Sequence, residues 1–152
     1  LGSGQHIFTY GGHPPSAAVA KCVLDFIDSE NIPENCEQIG DYLLENLESI
    51  QIEYPKIIKD VRGKGLMIGV QIDISDDKDM GKIFATRCME LGVYVGFFGV
   101  KGDVVRIEPP LTIGVEDADL IINSIRTVSL EVKENKIPKQ TKLNVTKFSI
   151  GI

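Results

Sequence analysis

The stretch from Leu66 to Ile74 constrains this chain more than any other. Leu66, Ile68, Val70, Ile72 and Ile74 alternate with Met67, Gly69, Gln71 and Asp73. Period two sustained over this length predicts a strand with one face buried and one face open. Gly69 falls on the open face, where the missing side chain permits close approach to the backbone.

The segments around it supply the cover such a face needs. Ser16 to Ser29 predicts a helix whose strongly polar residues, Lys21, Asp25 and Asp28, form one narrow stripe. A helix apolar on its other sides calls for more neighbours than a chain of 152 residues readily provides. Asn31-Ile32-Pro33 breaks the chain. A second helix over Glu34–Ile50 follows, with Cys36, Ile39, Leu43, Leu47 and Ile50 inward and an acidic opposite face. Ile57 to Val61 is a short apolar run, and Arg62-Gly63-Lys64-Gly65 reads as a turn. A third helix spans Asp79–Leu91 and is closed by Gly92. Val93–Phe97 and Val104–Ile107 read as strands joined by a hairpin-like connection, 98–103. Pro109-Pro110 stops the second of them. A last helix covers Glu116–Asn135. Residues 136–152 show no helical stripe; Leu143, Val145, Phe148 and Ile150 alternate weakly and predict at most an edge strand. Two helices and then β-β-α-β-β-α give an α+β fold: a small, mostly antiparallel sheet with helices on one face.

One stretch carries chemistry. Thr9-Tyr10-Gly11-Gly12-His13-Pro14-Pro15 leads directly into the first helix. Adjacent glycines permit positive φ, and proline suits the first helical turn because its missing N–H would be an orphan there. A hydroxyl, backbone amides and the positive end of a helix dipole together suit an anion. Arg106 is a second candidate. It lies on a short strand with a rigid exit, and guanidinium matches a carboxylate bidentately. A strand arginine paired with Glu108 or facing solvent is the competing reading. His13, beside two prolines, reads as a turn residue. Tyr10, Tyr42, Tyr54 and Tyr94 read as partly buried packing residues, with Tyr10 near enough to Thr9 to line a site.

Composition narrows the function classes. Hydrophobic residues are 43% and charged residues 25% of the chain, an ordinary globular balance. The net charge of −6 argues against nucleic acid as a partner. Four lysines and no acid follow Glu134, making residues 136–152 a basic tail on an acidic body. No apolar run is long enough for a membrane span, and no signal peptide is visible. Cys22, Cys36 and Cys88 are odd in number and form no C-x-x-C pair. They predict reduced thiols, no metal site and a cytoplasmic setting. Cys22 and Cys88 fall on apolar stripes and read as core filler.

Three motifs occur in register: TYGGHPPSAAVA from Thr9, VRGKGLMIGVQI over Val61–Ile72, and VVRIEPPLTI over Val104–Ile113. Together they resemble the C-terminal part of class-III aminotransferases. These are fold-type I, pyridoxal-phosphate (PLP) enzymes that include ornithine, acetylornithine, 4-aminobutyrate and omega-amino-acid transaminases. The resemblance covers Gln5 to about Asn135. It implies an α/β parent enzyme, with residues 5–30 as the end of its large domain and connecting helix. Residues 31–135 would be its small C-terminal domain; residues 1–4, outside the resemblance, read from Leu1-Gly2-Ser3 as a vector-derived scar or linker.

By the same resemblance, Thr9, with Tyr10 and Gly11, would contact the PLP phosphate of the neighbouring subunit in a homodimer. Arg106 would hold the substrate carboxylate, and Arg62 would be structural. Phe8 departs from the small or hydroxylated residue common at its position, which leaves a second hydroxyl contact in doubt, and His13 stands where many members have Asn. The lysine that carries PLP would lie upstream of residue 1, so no catalytic residue is assigned here. The chain reads as a fragment, inactive alone, of an enzyme moving an amino group from an amino donor to a 2-oxo acid. The alternative is a stand-alone interaction module descended from this fold, binding a protein through its sheet or basic tail.

Overall fold

In a computed structural model, residues 9–149 are described. The chain divides into two compact units, Leu1–Glu34 and Asn35–Ile152. The expected scar or linker at residues 1–4, Phe8, and Ile150 of the expected edge strand lie outside the described residues.

The first unit holds the glycine turn and helix α1, Pro14–Ser29. Prolines occupy the first helical positions, His13 is the N-cap, and Gly12 takes φ 75°. No residue of α1 is buried. Cys22 is therefore exposed, not core filler. The apolar pattern of α1 is real, but among the described residues nothing within its own unit covers it. Asn31, at φ 49°, turns the chain into helix α2, Ile32–Glu53. The helix begins earlier than expected because Pro33 sits in its first turn, where no amide donor is required.

The second unit is built on a four-stranded antiparallel sheet: β1 (Ile58–Lys64), β2 (Met67–Ile72), β3 (Gly96–Phe98) and β4 (Val104–Ile107), in the order β1-β2-β4-β3. The expected turn at Arg62–Gly65 is instead the end of β1. Lys64 pairs with Met67, so Gly65 and Leu66 make the whole connection, with Gly65 at φ 53°. β3 begins later than Val93 because the Val93 amide donates to Cys88 O in the last turn of helix α3, at 2.9 Å.

Helices α3 (Met80–Glu90) and α4 (Val115–Lys133) join α2 over one face of the sheet. Leu43, Leu47 and Ile50 of α2 pack with Ile68, Val70 and Ile72 of β2, Phe84 and Cys88 of α3, Val105 and Ile107 of β4, and Ile125 and Val128 of α4. Burial drives the Cys88 thiol up to about 12, so it is an inert packing group. Polar ties cross the helices: Tyr42 Oη donates to Asp119 Oδ1 at 2.7 Å, and Arg126 reaches Glu53 at 2.5 Å. A glycine sets the approach of α2 to the sheet. A Cβ on Gly40 would overlap the carbonyl of Gly65.

The tail differs from expectation. After Asn135 (φ 55°) ends α4, Lys139–Ser149 forms a helix, α5, and no edge strand. Thr141 and Val145, one turn apart, are both buried. Thr141 Oγ1 donates to Glu90 Oε2 at 2.6 Å and Asn144 Nδ2 to Glu90 Oε1 at 3.2 Å. Arg87 forks onto Glu131 with two bonds of 2.8 Å, linking α3 to α4 beside them. Among the residues of α5 whose burial is described, the two buried positions Thr141 and Val145 make too short a stripe for helical periodicity to show in the sequence. Tyr10 and Tyr94 are exposed, Tyr42 is half-buried and Tyr54 is buried, so the packing role expected of all four holds only for the latter two.

Candidate functional site

The sheet has one covered face and one open face, and β2 shows why. Ile68, Val70 and Ile72 are buried, whereas Met67 is exposed and Gly69 and Gln71 are half-exposed. A single row crosses the open face. Arg62 pairs with Gly69, Gly69 with Arg106, and Arg106 with Gly96. Arg106 therefore has a glycine on each neighbouring strand. Neither cross-strand partner puts a side chain of its own beside it; Val104 reaches over Gly69 and the Phe98 ring over Gly96.

The Arg106 side chain has two contacts. Its Nε lies 3.0 Å from Glu108 Oε2, two residues along the strand. Its guanidinium carbon lies 3.7 Å from the centroid of the Phe98 ring. Arginine and Glu108 are paired, as one reading of the sequence held. The pair is still 42% and 36% exposed, so the guanidinium keeps an accessible edge. The stacking on Phe98 was not anticipated. The available signal was that Phe98 and Arg106 lie on adjacent strands of one hairpin with the same facing.

Arg62 is held along the same face. It donates to Asp60 Oδ2 at 2.5 Å and stands 3.5 Å from Gln71 Oε1, while Gln71 Nε2 donates to Asp103 Oδ2 at 3.0 Å. This polar chain links β1 to the connection before β4. Lys64 and Lys101 are exposed near turns.

Thr9, Tyr10 and Gly11 belong to the first unit and Arg106 to the second. The first three are exposed. The His13 amide donates to Tyr10 O at 3.1 Å and closes the turn. The His13 ring meets Tyr10 edge-on, with centroids 5.8 Å apart, and its Nδ1 lies 3.0 Å from Ser16 Oγ. His13 thus serves the turn. The helix start offers fewer amides than expected: Pro14 and Pro15 have none, and the Ala17 amide donates to His13 O. The donors left are the Thr9 hydroxyl and the amides of Gly11 and Gly12, which make no hydrogen bond to a described residue. Among the described residues nothing lies within 4 Å of where a Gly12 Cβ would be, so on that side the turn has room for a ligand.

Residues 1–128 match the family described as class-III aminotransferases. The chain belongs to that family. Its fold is similar to that of acetylornithine aminotransferase from Elizabethkingia anophelis, at 29% identity and a TM-score of 0.75, over 86% of this chain and 32% of that one. It also matches an amine transaminase from an uncultivated Pseudomonas species, solved in its PLP-bound form, at 29% identity and TM-score 0.71, over 85% and 30% of the two chains. A phospholyase from Arthrobacter, in complex with phosphoethanolamine, matches at 30% identity and TM-score 0.72, over 77% and 29%. The chain thus spans roughly a third of the length of these three proteins. Among the described residues no helix is long and apolar enough to cross a membrane, and no cluster of three potential metal ligands occurs.

Proposed function

We propose that this chain is the C-terminal part of a PLP-dependent aminotransferase that moves an amino group from an amino donor to a 2-oxo acid. The observation that carries the reading is Arg106, set between two cross-strand glycines on the open sheet face in a class-III chain. PLP, when bound, supplies the electron sink for bonds at the amino-bearing carbon. The open turn fits its phosphate. Thr9 gives a hydroxyl, Gly11 an amide, and α1 a dipole, with Tyr10 as a flanking wall. The prolines trim the donor set but leave it sufficient for an anion. These residues would serve the partner subunit of a homodimer. Arg106 binds and orients the substrate carboxylate, so that the amino group meets the reacting centre in a fixed pose. The lysine that carries the cofactor lies outside these 152 residues, and the chain alone is inactive. Three free cysteines support a cytoplasmic setting.

The match to a phospholyase makes the reaction class the point to test. The full-length enzyme, loaded with PLP and given an amino donor without acceptor, should form one equivalent of oxo product per subunit and stop. A 2-oxo acid should restart it. Continuous release of inorganic phosphate from a phosphorylated amine, with no acceptor present, would contradict amino transfer. Absence of any turnover, with binding of a protein partner by this chain alone, would favour the interaction module.

A further inference from the structure

The contacts around Arg106 carry one step more, and it rests on the carboxylate role just proposed. Phe98 does not stand upright on its edge strand. Its ring folds back over Gly96: a Cβ there would overlap Phe98 Cε2 and come within 3.0 Å of Cζ and 3.2 Å of Cδ2. Gly96 is also the residue paired with Arg106 across the β3–β4 ladder. The ring therefore fills the space left by the glycine and presents its face to the guanidinium, 3.7 Å away. Glu108 holds the Nε edge from the other side, at 3.0 Å. Gly69, across the opposite ladder, puts no side chain beside the arginine. A ring below and a carboxylate at Nε fix the plane of the guanidinium. Its two terminal nitrogens, Nη1 and Nη2, remain as a fork.

We infer that Phe98, seated by Gly96, is a positioning residue for Arg106. It holds the guanidinium flat so that the terminal fork receives the carboxylate of the substrate end-on. An aromatic face under a cation is attractive by its ring quadrupole, and it removes rotamers that a long, half-exposed arginine would otherwise sample. Leucine at this place would keep bulk but lose both effects.

The test uses single-turnover half-reactions of the PLP-loaded full-length enzyme. Two donors are compared, an amino acid and an amine without a carboxylate. Phe98→Leu should raise the apparent dissociation constant of the amino acid by roughly three- to thirty-fold, the scale of a partly desolvated cation–π contact. The limiting rate and the constant for the plain amine should stay near wild type. Phe98→Tyr should restore tight binding. Gly96→Ala, which expels the ring while leaving Phe98 in the sequence, should reproduce the Phe98→Leu pattern. Phe98→Leu added to Arg106→Ala should do no further harm. Wild-type binding in Phe98→Leu, equal losses for both donors, or a full loss in Phe98→Tyr would overturn the positioning role. Arg106→Ala separates the two claims. If it leaves the amino acid unaffected, the carboxylate role itself fails and this inference falls with it. If it discriminates the donors and Phe98→Leu does not, only the inference fails.

Discussion

Helices α1 and α4 are similar in length and opposite in outcome. α1 is the more apolar, yet buries nothing; α4 buries Ala118, Ile121, Ile122, Ser124, Ile125, Val128 and Ser129. The difference is in their surroundings. The apolar residues of α4 recur on one stripe, and one sheet with two helix neighbours covers that stripe. α1 is apolar around most of its circumference, and Val19, Val23, Leu24 and Phe26 are half or more exposed. Its polar stripe carries a Lys21–Asp25 pair at 2.6 Å. An apolar sequence states a demand for burial, and only neighbouring chain can satisfy it.

The contrast can be broken most directly by truncating one side chain in each region. Leu47→Ala, at a fully buried site of the second unit, should destabilise the 152-residue chain by about 2–5 kcal/mol. Val23→Ala on α1 should stay within about 0.5 kcal/mol. Urea titrations of both variants decide it, and equal losses would mean that α1 is covered after all. The next effect in size concerns how closely α2 approaches the β1–β2 turn. Gly40→Ala would drive a methyl into the Gly65 carbonyl. Overpacking of about 1–3 kcal/mol should exceed the helix-propensity gain of roughly 1 kcal/mol. A rise in melting temperature would refute that approach.

The two regions should also separate by function. Thr9→Ala in the full-length enzyme should weaken PLP retention by about 1–3 kcal/mol, the scale of a hydrogen bond to a charged group. It should leave the fold of the second unit untouched. Dialysis followed by cofactor absorbance reads the first effect and circular dichroism the second. Unchanged retention would make Thr9 a turn residue only.

The smallest effect is electrostatic and confined to the packed unit. Lys59 at 2.7 Å, with the Ser75 hydroxyl and amide, holds the Asp73 carboxyl down to about 2. The folded value lies below the unfolded one, so this contribution is complete above about pH 4 and fades as pH falls toward 2. The stability gap between wild type and Asp73→Asn should therefore shrink over that window. A gap constant with pH would remove the carboxylate as its cause.

Much of this was legible in the chain. The alternation from Leu66 gave β2 and its two faces, and the spacing of Ile39, Leu43, Leu47 and Ile50 gave α2. Those patterns are long enough for period to reveal burial. α5 was hidden because its ties to α3, from Thr141 and Asn144 to Glu90, depend on residues far apart in sequence. Cys22 was misplaced because a stripe shows that a residue could be buried and not that anything covers it. At the site, Thr9 and Arg106 could be named from residue type and motif. The row Gly69–Arg106–Gly96 and the Phe98 stack required the register of three strands, which no local pattern encodes.

The central claim is that the open sheet face anchors a carboxylate through Arg106. Its most direct measurement is kcat/KM for paired donors, one with a carboxylate and one without, in wild-type and Arg106→Ala full-length enzyme. Losing one partner of a desolvated, forked ion pair costs on the order of 2–5 kcal/mol. The carboxylate donor should therefore lose about thirty- to several-thousand-fold, and the plain amine far less, with PLP content unchanged. Equal losses for both donors, or none for either, would contradict the account and leave Arg106 as a strand arginine paired with Glu108.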